Sequence, residues 1–228
     1  MTGEAVKGRR GYDNTRRAEQ ARANRARTID AARALLLEQG YGRTTIAQVA
    51  AAAGVSPESV YKTFGGKGGL VKAVYDVTLA GDDEPVPLRE RPEFAALVAE
   101  RDPRRVLERY AAIGRTLWER IGPLLGVLLG GAQAGDPDLV AFEATIRRES
   151  FAGASGVVGL LDGLGALRAG LPVERARDEL WLLIQPESYR LLVGERGWTL
   201  DQVEDWLARS ATAALLGPPA EQPRGGGG

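Results

Sequence analysis

Apolar residues recur every three or four positions along nearly the whole chain, and no stretch alternates with the two-residue period of a strand. The pattern predicts an all-α fold. Ile29, Ala32, Leu35 and Leu36 mark the core side of a first helix that begins near Asn14 or Thr15 and runs to Glu38. Ile46, Val49 and Ala50 line a short second helix, Val60 and Phe64 a short third, and Leu70, Val71, Val74 and Tyr75 a longer fourth. After Gly81-Asp82-Asp83-Glu84-Pro85-Val86-Pro87, the clearest loop, Asp102-Pro103 starts a helix over Leu107, Tyr110, Ala111, Gly114, Leu117, Trp118 and Ile121. Pro123 is expected to open another, which Gly135-Asp136-Pro137 ends before Leu139, Phe142 and Ile146. The stretch from Gly153 to Gly170 is glycine-rich but periodic and reads as helix, and Pro186 must kink or restart the helix it falls in.

The turns between the second, third and fourth helices carry specific chemistry. Thr44 and Thr45 stand where a hydroxyl can cap the helix over Ile46, and Gly54 suits the left-handed residue that ends it. Ser56 is placed as the next N-cap, with Pro57 at the first helical position and Glu58 and Ser59 in the opening turn. Gly65 and Gly66 break the third helix before Lys67 opens the fourth. Two short capped helices between longer ones have the sequence form of a helix-turn-helix, whose second helix enters the major groove of DNA.

The segment Thr44-Thr45-Ile46-x-x-Val49-Ala50-x-x-Ala53-Gly54-Val55-Ser56, followed by Val60-Tyr61-x-x-Phe64-x-x-Lys67-x-x-Leu70, resembles the DNA-binding domain of TetR-type transcriptional regulators. With the preceding helix from Thr28 the likeness covers about a fifth of the chain. Two positions depart from the family's habit. Gly68 and Gly69 replace a helix-favouring pair, which should loosen the fourth helix by ~1 kcal/mol per glycine relative to alanine. Glu58 replaces a small residue at the tip of the recognition helix, so base preference does not carry over from relatives. Tyr61, Lys67 and Thr44 or Thr45 are expected on phosphates, and Glu58, Ser59, Lys62 and the backbone near Ser56 and Pro57 on base edges. Lys62 suits guanine O6 and N7, and Glu58 suits cytosine N4.

Charge agrees with a DNA-binding head. The chain is neutral, with 30 basic and 30 acidic residues, but residues 1–80 hold 13 basic against 7 acidic and residues 81–228 hold 17 against 23. Residues 1–17, with Lys7, Arg9, Arg10, Arg16 and Arg17, lack periodicity and read as a disordered basic arm that either follows DNA or frays as a tail. The absence of cysteine and histidine excludes disulfides, thiolate metal sites and histidine-based triads, so no metal and no cofactor is expected. No catalytic motif is assembled: Gly163-x-Gly165 lacks a third glycine, and Gly66-Lys67 lacks the spacing of a phosphate loop. No secretory signal or membrane span is evident, and the cytoplasm is the expected compartment.

Leu180-Trp181-Leu182-Leu183-Ile184-Gln185-Pro186-Glu187-x-Tyr189-Arg190-Leu191-Leu192-Val193, then Gly197-Trp198-Thr199 and Trp206-Leu207, is similar to the end of many TetR-type proteins. The resemblance implies a homodimer formed by the last two long helices, here through Trp181, Leu192, Val203 and Leu207; the alternative reading of these leucine-rich faces is ordinary intrachain core. It also implies a body cavity for a small-molecule effector that the sequence does not name, with Tyr110, Trp118, Phe142, Phe151 and Trp181 as candidate walls, although each such side chain is more often plain core than pocket wall. The expected organisation is an arm over 1–17, a three-helix DNA-binding domain over 18–75, a helical ligand-binding and dimerisation domain over 76–216 and a flexible tail over 217–228. The expected function is a DNA-binding transcriptional regulator, a repressor released from an inverted-repeat operator by its effector. A helical small-molecule carrier and a ligand-independent architectural DNA binder are the competing readings.

Overall fold

The computed structural model describes residues 5–217, with side chains from residue 16 onward. Among them every regular element is helical: α1 Ala5–Arg43, α2 Ile46–Ala53, α3 Pro57–Phe64, α4 Lys67–Ala80, α5 Pro92–Ala99, α6 Pro103–Gln133, α7 Pro137–Gly163, α8 Val173–Leu183, α9 Pro186–Tyr189 and α10 Leu200–Leu215, with a 3-10 turn at Leu88–Glu90 and a π-helical stretch at Arg190–Glu195. The one extended pairing among the described residues is an isolated bridge between Leu167 and Leu216. None of these helices is long and apolar enough to cross a membrane.

The chain divides into two compact units: Met1–Asp83 with Pro123–Phe142, and Glu84–Gly122 with Glu143–Gly228. This differs from a division at residues 75 and 76. Residues 123–142 are the end of α6, the α6–α7 turn and the start of α7, and they complete the core of the first unit. That core holds Ile29, Leu36, Val49, Val60 and Val74 from α1 to α4, and Leu124, Leu128 and Leu139 from the added segment, each at most 2 % exposed. Phe142 meets Tyr75 edge-on at 5.1 Å between ring centroids. At about 25 cal/mol per Å² of apolar surface, such side chains are the principal stabilising term of a small helical unit.

Several boundaries differ from those expected. α1 begins at Ala5, so residues 5–17 of the expected disordered arm are helical; residues 1–4, and 218–228 of the expected tail, lie outside the described residues. Pro123 does not open a helix but lies inside α6. A proline inside a helix costs about 3 kcal/mol, and burial on both sides of it, Ile121 before and Leu124 and Leu125 after, offsets that cost. The glycine-rich stretch is helical only to Gly163, because Gly165 and Gly170 take left-handed φ of 65° and 78°. Pro186 restarts a helix, with Gln185 as its N-cap residue.

The second unit packs α5, the first part of α6, the rest of α7, α8 and α10 around Val106, Leu107, Val158, Leu161, Leu180 and Leu215. In it Arg147 donates to Glu143 at 2.7 Å, Glu187 at 2.9 Å and Gln185 at 3.1 Å, holding the start of α9 on α7.

The glycine pair that opens α4 separates into two cases. A Cβ on Gly68 would make ordinary contact with Asp138, 3.5 Å from its Cγ, whereas a Cβ on Gly69 would overlap the carbonyl oxygen of Phe64. Gly69 is therefore required by the close return of the α3 end onto α4, and only Gly68 loosens the helix. Gly68→Ala should raise the stability of the folded chain by up to ~1 kcal/mol, and Gly69→Ala should lower it by about 1–3 kcal/mol. Urea denaturation followed by circular dichroism checks both, and equal shifts for the two variants would contradict the assignment.

Candidate nucleic-acid interface

The α2–turn–α3 segment is closed at each corner by a local hydrogen bond. Thr45 caps α2: its Oγ1 accepts from the Gln48 amide at 3.2 Å while Gln48 Oε1 accepts from the Thr45 amide at 2.9 Å, a reciprocal capping box. Gly54 ends α2 at φ 66°, ψ 39°, a left-handed position that favours glycine. Ser56 Oγ then accepts from the Ser59 amide at 3.2 Å, and Pro57 opens α3. Gly65, at φ 76°, closes α3 through its amide to the Tyr61 carbonyl at 2.8 Å. Each of these bonds joins residues no more than four apart, so residue type and spacing are enough to predict them.

One face of α3 faces inward through Val60, 1 % exposed, with Phe64 half-buried. The opposite face exposes Ser56, Pro57, Glu58, Ser59, Tyr61, Lys62 and Thr63, with Tyr61 at 55 %. A carboxylate, two serine hydroxyls, a phenol and an ammonium on one short helix form a surface of donors and acceptors that base edges and phosphates can take up. Thr63, outward but outside the expected set, donates from its Oγ1 to the Ser59 carbonyl at 2.8 Å.

Two expected phosphate ligands lie elsewhere. Thr44 is 3 % exposed and donates from Oγ1 to the Gly40 carbonyl at 2.9 Å, closing the bend at the end of α1. Lys67 turns inward: its Nζ donates to the Tyr41 carbonyl at 2.6 Å and lies 3.7 Å from the Tyr41 ring centroid. Tyr41 in turn donates from its hydroxyl to Asp138 Oδ2 at 2.9 Å. Burial lowers the pKa of Lys67, opposed by the nearby carboxylates Asp136 and Asp138. Burial and the bond to Asp138 push the Tyr41 hydroxyl above the ordinary tyrosine value. Both side chains thus tie the start of α4 and the start of α7 to the end of α1. Thr45 remains exposed, but its hydroxyl is engaged in the cap.

Two arginines that no local pattern singles out hold the unit at the other side of α1. Arg27 Nε donates to the carbonyl of Ala53, the last residue of α2, at 3.1 Å. Arg25 pairs with Asp83 at 3.0 Å, and its guanidinium lies 5.2 Å from the ring centroid of Phe64, the last residue of α3. Their partners are 26, 58 and 39 positions away in the chain, beyond the reach of spacing arguments.

The candidate effector and interface residues are dispersed. Phe142 belongs to the core of the first unit, beside Tyr75. In the second unit Trp118 stacks on Tyr189 at 4.0 Å, and Tyr110 packs against the main core. Phe151, 38 % exposed, meets Trp181 edge-on at 5.9 Å, while Trp181 Nε1 donates to Ser150 Oγ at 3.1 Å. An open groove of about 1100 Å³ in this unit is lined instead by Arg104, Glu108, Arg168, Asp205, Arg209 and their neighbours. Of the four interface candidates, Val203 and Leu207 point into their own chain's core, at 0 % and 1 % exposed, because the three- and four-residue spacing of α10 aligns them with Ala211 and Leu215. Trp181 and Leu192 are half-buried.

Residues 29–74 match the family model described as bacterial regulatory proteins, tetR family. The fold is similar to that of SmeT in complex with triclosan, at 19 % identity and a TM-score of 0.65 over 86 % of this chain and 93 % of that one. Another structure of SmeT, described as the repressor of the Stenotrophomonas maltophilia multidrug efflux pump SmeDEF, is similar at 17 % identity and a TM-score of 0.61, over 88 % and 94 %. NalD, described as the secondary repressor of the MexAB-OprM multidrug efflux pump in Pseudomonas aeruginosa, is similar at 20 % identity and a TM-score of 0.64, over 86 % and 98 %. No curated protein matches the chain. The chain thus resembles TetR-family transcriptional regulators twice over, in the sequence of residues 29–74 and in an all-α fold that spans most of its length.

The geometry of Lys67 and Tyr61 gives opposite expectations for the two. Lys67→Met should lower folding stability by about 1–2 kcal/mol through removal of the charged hydrogen bond and leave the salt dependence of DNA binding unchanged. Tyr61→Phe should leave stability unchanged and weaken binding to all duplexes alike. Thermal unfolding together with fluorescence anisotropy on operator and scrambled DNA distinguishes them. A lowered salt slope in a stable Lys67→Met protein would return that lysine to the phosphates.

Proposed function

We propose that this chain is a ligand-responsive transcriptional repressor that binds an inverted-repeat operator as a homodimer and is released by a small apolar or amphipathic effector. The observation that carries the reading is the exposed face of α3, set on a doubly capped helix-turn-helix, in a chain whose residues 29–74 match the tetR-family model. One short recognition helix contacts only a few base pairs, and a two-fold dimer doubles that contact on one face of DNA. The similar structures, SmeT with triclosan bound and the efflux-pump repressors SmeT and NalD, support an effector-released repressor as the reading of this chain.

The dimer surface in this reading draws on apolar side chains near the end of the second unit that their own chain leaves uncovered. Leu182 is 66 % exposed, Leu191 43 % and Val193 36 %, all within the segment expected to carry the interface. Half-buried Trp181 and Leu192 adjoin them, whereas Val203 and Leu207 act from beneath as core.

Selection of bound sequences from random duplex DNA tests the function. A symmetric motif of two half-sites is expected, Lys62→Ala should relax one symmetric pair of positions, and the loss of discrimination there should be about 1–3 kcal/mol. Enrichment of no sequence would favour an architectural binder, and no DNA binding at all would favour a small-molecule carrier.

The interface is tested by charge. Leu182→Glu costs little in a monomer, where the position is exposed, but a dimer would bury an unpaired carboxylate at a cost of several kcal/mol. It should sediment as a folded monomer at micromolar concentration. Leu207→Glu should instead unfold the second unit. A dimeric Leu182→Glu protein would move the interface elsewhere.

A further inference from the structure

The basic excess of the first unit is confined to one place. Residues 28–83 and 123–142, which hold the helix-turn-helix and its core, carry five basic side chains against eight acidic ones, and one of the five is the inward-turned Lys67. Residues 5–27 of α1 carry eight basic side chains against two acidic. Without that segment the DNA-reading unit is net negative, and a negative surface opposes approach to a phosphate backbone.

The segment continues α1 as a helix, and its residues 16–23 are exposed on every side. A helix that is polar all round has no face to bury in a core. At 1.5 Å per residue, residues 5–24 extend about 30 Å, close to one turn of duplex DNA. The place where this helix leaves the unit is fixed by Arg27 on the Ala53 carbonyl and by Arg25 against Phe64, which set it beside the last residues of α2 and α3. A rod of arginines therefore departs from the two helices that form the DNA-reading motif.

We infer that the amino-terminal extension of α1 is a second DNA-contacting element, a helical arm that supplies sequence-independent phosphate attraction to a unit whose remaining charge is net negative. It rests on the DNA-binding reading above and divides the labour: α3 reads bases, with Tyr61 as its backbone contact, and the arm supplies the positive charge that the rest of the unit does not carry in excess. Arg25 and Arg27 fix the arm in position, and Arg17 and Arg22, both exposed, with Lys7, Arg9 and Arg10 beyond them in sequence, provide the charge.

The test uses the full chain with Arg9→Gln, Arg10→Gln, Arg17→Gln and Arg22→Gln combined, and a companion in which the same four become Lys. Both replacements keep good helix formers, so the arm retains its conformation. Affinity for the selected operator and for a scrambled duplex is read by fluorescence anisotropy from 50 to about 300 mM salt. The glutamine protein should bind both duplexes more weakly by the same factor, at least tenfold, with a salt slope reduced by about 0.9 for each phosphate no longer neutralised, and the lysine protein should bind as the parent does. Unchanged affinity and slope in the glutamine protein, while the parent binds its operator, would overturn the arm and leave the proposed function standing. A parent that binds no DNA would overturn the proposed function itself. Equal weakening in the glutamine and lysine proteins would also refute a charge role. So would loss of binding to anionic lipid vesicles with DNA affinity retained, which would make a membrane surface the arm's partner.

Discussion

The hydrogen bond from the Lys67 ammonium to the Tyr41 carbonyl closes the helix-turn-helix. Residues 41 and 67 bracket α2 and α3, so one 2.6 Å bond brings the two ends of the reading motif together. The Tyr41 ring beneath the ammonium and the Asp138 carboxylate on the Tyr41 hydroxyl extend that closure to the start of α7. The rest of the first unit follows from it. Gly40, at φ 77°, bends the end of α1 so that Tyr41 reaches this place, and Gly69 lets α4 start close against the end of α3. The Lys67 ammonium thus spends one of its three donors, and the face of an aromatic ring, on holding the first unit together.

Positive charge falls unevenly along the chain. A formally neutral protein with a basic amino-terminal third reads at first as a basic head on an acidic body. Once Asp82, Asp83, Asp136 and Asp138 are counted with the unit they fold into, the globular part of that head is negative, and the excess resides in the extension of α1. The exposed face of α3 offers only two formal charges, Glu58 and Lys62, of opposite sign, which suits discrimination between bases better than capture of a polyanion.

In the second unit, periodic apolar patterning proves ambiguous about partners. Val203, Leu207, Ala211 and Leu215 form a regular stripe that a second subunit or the chain's own core could equally cover, and the core covers it. Leu182 lies on the outward side of α8, and Leu191 and Val193 fall in the π-helical stretch at Arg190–Glu195, and all three remain exposed. The aromatic residues show the same ambiguity: Trp118 and Tyr189 occupy each other's faces, and Trp181 is held by Ser150 and Phe151.

By itself the sequence determined most of what depends on neighbours within about four residues. The helical class, the caps at Thr45 and Ser56, the left-handed Gly54, the outward set Pro57, Glu58, Ser59, Tyr61 and Lys62, and the restart at Pro186 are consequences of local hydrogen bonds and of helical periodicity, so residue type and spacing suffice to read them. What tertiary structure alone decided are the cases in which two local outcomes are close in energy and a distant partner chooses. A lysine at the mouth of a DNA-binding motif turns to a carbonyl 26 residues earlier, a proline stays inside α6 because both flanks are buried, and residues 123–142 join a unit about 40 positions upstream. Burial and charge pairing act through space without regard to separation along the chain, and only the folded backbone states which residues come within their range.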